Sequence, residues 1–312
     1  QLEMAYENPR AYPYTRAQML DILQKNVSGF AEEELETLRD DGTLDWRYVN
    51  GEVRFKNNAL SALLKTRKEY AMRATDPAVM SGAKASTEQL SAMIAKMKAN
   101  GGVRARFELH EELTVRSDRL TEGETLRIHL PMPIVGAQVK RAELLSASHP
   151  VAFLAPEDEP QRTIYFELPY EPGMTVSAEI AYEIDAPYAQ PHAREVYAEQ
   201  PVFDTEELPP HVVFTPYLRA LAKEIVGDET NALLKARKIY DFITTQAVYR
   251  FMPPYLTVPN IPEYFLSGLR GDCGVQAITF VTLCRLCGVP AQWQSGLYTK
   301  PNSAGHHDWA RF

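Results

Sequence analysis

The chain has 312 residues, 45% of them hydrophobic and 24% charged, with a net charge of −8 and a pI near 5.5. That length exceeds what one hydrophobic core usually serves, so it predicts two or three domains, and the composition excludes a disordered chain. The acidic balance excludes nucleic acid or anionic lipid as the main partner, and no apolar run approaches the roughly twenty residues of a membrane-spanning helix.

The densest basic stretches, around Lys65, Arg67 and Lys68 and around Lys235, Arg237 and Lys238, are interleaved with acids and read as solvated helix faces. Three cysteines confined to positions 273–287 do not form a disulfide framework, so reduced thiols and the cytoplasm are favoured. Position 1 is Gln, so a removed signal peptide would not show, and an exported form stays open.

Residues 1–100 read as a mainly helical region, with apolar periodicity near 16–26, 31–40, 57–73 and 87–99. A β-hairpin near 46–55 interrupts it: in WRYV-NG-EVRF, Asn50-Gly51 supplies the positive φ angles of a two-residue turn between alternating strands. Asn57 or Asn58 is placed to cap the helix that follows. Gly101-Gly102 marks the boundary.

Over residues 101–187 the period drops to two. VRARFELHEELTV, ETLRIHLPMP, AQVKRAELLSAS, RTIYFELPY and TVSAEIAYEI alternate between turn-forming residues, which predicts an immunoglobulin-like β-sandwich. His110, His129 and His149 are scattered singly along it and read as exposed strand or core-edge positions rather than metal ligands. Residues 188–210, Pro-rich and acidic, read as a linker or a strap across a domain surface.

The last unit covers 211–312. Thr215-Pro216 gives an N-cap and a first-turn proline to a short helix that Gly227 ends. In the next helix Leu233, Ala236, Tyr240 and Ile243 form one apolar stripe, read as core. The four prolines of FMPPYLTVPNIPEYF predict a surface loop.

Beyond it, Gly271 and Gly274 bracket Cys273 where a loop meets the apolar segment Val275 to Leu286. A segment apolar on nearly every side is a buried central helix; Gly288 and Pro290 end it, and a strand runs from Gln292 to Tyr298. Cys273 at the head of that helix faces backbone N–H groups and a macrodipole that favour the thiolate, and the same N–H groups can hold an oxyanion. The base should be a histidine brought alongside by the following sheet, and His307 stands at the start of an apparent strand in GHHDWARF, with His306 facing the other way. Asp272, whose charge would raise rather than lower a thiol pKa, takes a loop or capping role. Cys284 and Cys287 form a C-x-x-C that could join His306 and His307 in a zinc site or act as a redox pair, but Leu283 and Leu286 flank them and packing is the reading. No motif requires a metal or a cofactor.

A Cys heading a buried helix, a Gly-x-Pro-Ala exit at 288–291 and His-x-Trp at 307–309 occur here in an order that resembles the transglutaminase-like superfamily, a papain-like thiol fold, over the C-terminal third. The resemblance implies an α+β multidomain chain with Cys273 as acyl-forming nucleophile and His307 as general base and acid. It makes Tyr249 the positional candidate for a further oxyanion donor. Trp309 reads as a wall for the histidine or the substrate, and Trp293 as sheet core.

The family's orienting aspartate normally sits on the strand after His-x-Trp, whereas this sequence ends at Phe312, and Asp308 faces away from Cys273 by strand alternation. The displayed chain therefore reads as cut short, with an incomplete triad. The implied reaction is attack of the Cys273 thiolate on an amide carbonyl, an acyl-enzyme, and release to water or to an amine. A peptidase or amidase acting on a peptide or protein, for instance a bacterial cell-wall peptide, is preferred over amine transfer. The alternative is a catalytically inactive transglutaminase-like module that binds or scaffolds.

Overall fold

Thr15 closes a capping box over the helix that starts at Arg16: its hydroxyl accepts from Gln18 N, and the Gln18 side chain accepts from Thr15 N. From there the computed structural model describes residues 8–115, 119–197, 199–250, 252, 255–300 and 303–312, apart from the side chains of 80–87, Lys300 and Ser303. Strand β1 (Tyr14–Thr15) leads into α1 (Arg16–Asn26) and α2 (Glu32–Asp40), followed by the hairpin β2 (Trp46–Val49) and β3 (Glu52–Phe55). The predicted turn is present, with Asn50 at φ 53° and Gly51 at φ 81°.

The predicted 57–73 helix is two pieces, α3 (Ala59–Thr66) and α4 (Lys68–Ala71). Arg67 breaks it by adopting an extended backbone, and its guanidinium turns to Thr43 and Asp41 instead. Asn58 stands at the N-cap of α3 without capping it, and its side-chain Oδ1 is buried with no partner among the described residues. Met19, Leu23, Leu35, Leu44, Phe55 and Leu63 close a local core under the hairpin.

The helix predicted at 87–99 starts earlier, as α5 (Pro77–Asn100). Two antiparallel three-stranded sheets follow. One has the order β4 (Gly102–Thr114), β9 (Thr175–Pro187), β6 (Val139–Ala147); the other has β5 (Thr125–Pro131), β8 (Thr163–Pro169), β7 (Phe153–Leu154). They share a core in which Ile128, Ile164, Phe166, Val176 and Ile180 meet. All five alternating segments form strands, because each offers one apolar face to that core. His110 and His129 are exposed on strands beside Glu179 and Thr163, and His149 bonds Ser148 just past β6.

The last stretch holds α6 (Pro216–Val226), α7 (Ala232–Gln246), β10 (Val248–Tyr249), α8 (Ile261–Gly268), β11 (Arg270–Gly271), α9 (Cys273–Leu286), β12 (Gln292–Lys300) and β13 (Ser303–Arg311). Thr215 and Gly227 cap α6 as predicted. Two expectations need correction. The buried stripe of α7 is Ala232, Ala236, Ile239 and Ile243, with Tyr240 52% exposed, because the tyrosine keeps its ring edge and hydroxyl in water. The Pro-rich loop contains α8, since Asn260 caps it and Pro262 occupies the first turn, where no intrahelical N–H is needed. Phe251, Pro253 and Pro254 of that loop lie outside the described residues.

The chain forms two compact units that do not follow its linear order: residues 1–91 with 196–292 and 312, and residues 92–195 with 293–311. Among the described residues no helix is long and apolar enough to cross a membrane.

Glu111 is an anomaly of the two-sheet unit. The register Leu109↔Ile180, Glu111↔Ala178, Leu113↔Val176 turns it toward the core, and both of its carboxylate oxygens are buried with no hydrogen-bond partner among the described residues. Burial raises its pKa from 4.5 to about 7. The folded value lies above the unfolded one, so stability present below about 4.5 is lost as the pH rises through about 7. Glu111→Gln is therefore expected to raise the melting temperature more at about pH 8 than near pH 4.5, followed by circular dichroism. An equal shift at both pH values would contradict this.

Candidate thiol active site

Cys273 is the first residue of α9, and Asp272 is its N-cap, with Oδ1 accepting from Val275 N at 3.1 Å. The helix is apolar on nearly every side, as predicted, and packs against α6, α7 and α8. Its two fully buried threonines return their hydroxyls to their own helix, Thr279 to Val275 O and Thr282 to Ile278 O, both at 2.8 Å. Gly271 lets β11 come this close: a side chain there would meet Val275 Cγ1 at 2.6 Å.

Parallel pairing of β10 with β11 sets Tyr249 opposite Gly271, two residues before the thiol. Val248 N donates to Leu269 O at 2.8 Å and Arg250 N to Gly271 O at 3.1 Å. As a result the Tyr249 hydroxyl stands 4.0 Å from Cys273 Sγ, and the Cys273 backbone N–H also acts on the phenol oxygen. Burial, followed by the charge on Cys273, pushes the phenol well above its ordinary pKa, so Tyr249 stays protonated and able to donate. Lys65 Nζ lies 4.8 Å from the centre of the same ring.

Two participants carried no signal in the sequence. Tyr255 OH donates to Asp272 Oδ1 at 2.5 Å, and Gln276 Nε2 donates to Gly271 O at 3.0 Å. Both tie the turn before Cys273 to groups several residues away.

His307 and Trp309 lie in the other unit, on β13, which pairs with β12 as a two-stranded sheet. His307 is in the middle of its strand rather than at its start. The Tyr298 ring, which sequence reasoning missed, meets His307 edge-on at 5.8 Å, and Trp309 stands 6.5 Å from it. Trp309 donates from Nε1 to Gln294 at 2.8 Å and covers Gly296. Trp293 is 37% exposed, not sheet core.

Of the two remaining cysteines one is buried and the other, Cys287, is half-buried. Cys284 is fully buried, and burial followed by Cys287 pushes its thiol far above the ordinary range; burial also raises Cys287, with Lys235 acting in the opposite direction. Among the described residues no group of three or more His, Cys, Asp or Glu is assembled to hold a metal ion.

Tyr249, Tyr255, Asp272, Cys273, Tyr298, His307 and Trp309 all fall in one stretch of sequence. Residues 219–312 match the transglutaminase-like superfamily. This transglutaminase-like segment begins within α6 and runs through β13. No curated protein matches the chain. Among solved structures, the chain is similar to a candidate cysteine protease from Cytophaga hutchinsonii at 18% identity, over 67% of this chain and 74% of that one, with a TM-score of 0.48. It is also similar to the periplasmic domain of TgpA from Pseudomonas aeruginosa, at 15% identity over 70% of this chain and 85% of that one, with a TM-score of 0.33.

Replacing Asp272 by Ala removes the cap of α9 and the acceptor of Tyr255 together. We expect it to lower unfolding free energy by about 1 kcal/mol or more, with Asp272→Asn costing less because an acceptor oxygen remains. Urea titration reads the difference; an unchanged midpoint for Asp272→Ala would contradict the capping account.

Proposed function

We propose that Cys273 is the nucleophile of a cysteine-dependent acyl chemistry on amide bonds, with His307 as its base and acid. The observation that supports this best is the Tyr249 hydroxyl beside Sγ at the capped head of a buried helix. A helix N-terminus favours the thiolate, and a protonated phenol beside it can donate both to the sulfur and to a developing oxyanion.

In this reading the Cys273 thiolate attacks the amide carbon, forming a C–S bond while the carbonyl π pair moves to oxygen. The Cys273 N–H and Tyr249 OH receive that charge. Collapse breaks the C–N bond, and His307 gives its proton to the leaving amine. Water, deprotonated by His307, then attacks the thioester carbon, and collapse breaks the C–S bond, releasing the acid and restoring the Cys273 thiolate with the proton on His307. Trp309 and Tyr298 keep the imidazole ring oriented.

Release to water, a peptidase or amidase, is preferred over transfer to an amine, on a peptide or protein substrate such as cell-wall peptide. The two sheets are read as an immunoglobulin-like sandwich that presents the peptide, and residues 211–312 as the thiol domain.

Mass spectrometry of protein quenched during turnover of peptide amides is the test. An acyl adduct on Cys273 is expected, absent in Cys273→Ala. Tyr249→Phe is expected to slow acylation about 100-fold, the low end for an oxyanion donor because the 4.0 Å contact is long. Turnover that survives Cys273→Ala, or an adduct on Cys284 or Cys287, would overturn the proposal.

A further inference from the structure

The segment that carries Tyr249 is gripped by the N-terminal helical region, which belongs to the same compact unit. Asp45 and Lys56 flank the root of the β2–β3 hairpin and are joined by Lys56 N to Asp45 O at 3.0 Å. Both are buried, 5% and 8% exposed. Asp45 Oδ1 accepts from the Arg250 guanidinium, next in sequence to Tyr249. Its Oδ2 accepts from Tyr12 OH at 2.9 Å and faces Lys56 Nζ at 3.8 Å. Lys56 Nζ in turn donates to the backbone oxygen of Met252 at 2.6 Å.

Two further points of the same region reach the site. Lys65 of α3 places its ammonium over the Tyr249 ring. The turn at Gly42 (φ 72°) lies so close to β11 that a side chain there would meet Arg270 Nη1 at 2.4 Å. Buried charges are costly unless paired, and burial does depress the Lys56 ammonium, against the pull of Asp45. Merely joining two surfaces could be done by apolar packing. Here the charges fall on Arg250 and Met252, the residues that fix the course of the chain just past Tyr249.

We propose that Asp45, Lys56 and Lys65 are positioning residues of the thiol site, holding Tyr249, Arg250 and Met252 so that the Tyr249 hydroxyl stays against Cys273 Sγ. The N-terminal helical region is on this account part of the active site. The inference rests on the reading of Cys273 as nucleophile. With Arg250 and Met252 released, the phenol withdraws from the sulfur, and the thiolate loses that donor together with the ammonium seated over its ring.

The test is the pH profile of iodoacetamide alkylation of Cys273 in the 312-residue chain, read by peptide mass spectrometry. Asp45→Asn and Lys56→Met are expected to slow alkylation near neutral pH about three- to tenfold and to move the profile upward by about half a unit to one unit. Lys65→Met, an exposed change that spares the fold, is expected to slow it about threefold, with Lys65→Arg restoring the rate. Val27→Ala, which loosens the local core without touching this cluster, should lower the melting temperature and leave the profile unmoved.

If Asp45→Asn or Lys56→Met fails to fold, the Lys65 pair decides the matter. A wild-type Cys273 no faster than an ordinary thiol would remove the nucleophile reading itself. A fast wild-type thiol with Lys65→Met and the folded buried variants unchanged would overturn this inference alone.

Discussion

Everything in the transglutaminase-like segment depends on one buried helix whose N-terminal end is kept polar. The interior of α9 cannot hydrate its own backbone, so its threonines bond within the helix and its two ends need partners from elsewhere. At the C-terminal end Val289 N donates to Cys284 O and Gly288 N to Arg285 O, both at 2.9 Å, and Lys235 Nζ donates to Cys287 O at 3.0 Å; the Arg285 side chain reaches outward, Nε donating to Ala291 O at 2.7 Å and Nη1 to Glu206 O at 3.1 Å. A cation there also suits the helix dipole, and it bonds residues 204–206 of the Pro-rich segment to this end of the unit. At the N-terminal end Asp272 takes one amide, and Cys273 follows where the field of the helix favours a negative sulfur.

The capping carboxylate and the thiol make opposing demands on that end. A carboxylate next to a sulfur disfavours the thiolate, while its removal would leave the first turn uncapped. The structure spreads the Asp272 charge over two donors, Val275 N and Tyr255 OH, and sets a protonated phenol and a lysine on the other side. Hydrogen bonds to a charged acceptor are the stronger kind, so two of them weigh appreciably against the repulsion.

What the sequence made legible was whatever is decided locally. The Asn50-Gly51 turn, the Thr215-Pro216 start of α6, the alternating strands and the position of Cys273 at a helix head each follow from a few adjacent residues. Where a residue has two natures, pattern reading slipped: Tyr240 counted as apolar but faces water, Pro262 counted as a breaker but starts α8, and Trp293 counted as core but is partly exposed. Contacts distant in sequence left no trace. Asp45 and Arg250 are 205 positions apart, and nothing in either neighbourhood announces the pair. Tyr255 likewise sits among prolines that suggest only a loop.

The central claim is that Cys273 ionises more readily than an ordinary cysteine. Thiolate absorbance, titrated in the Cys284→Ala/Cys287→Ala chain so that a single sulfur is observed, measures this directly. The account predicts a midpoint at least about one unit below the usual value near 8.5. A midpoint at or above that value would contradict it.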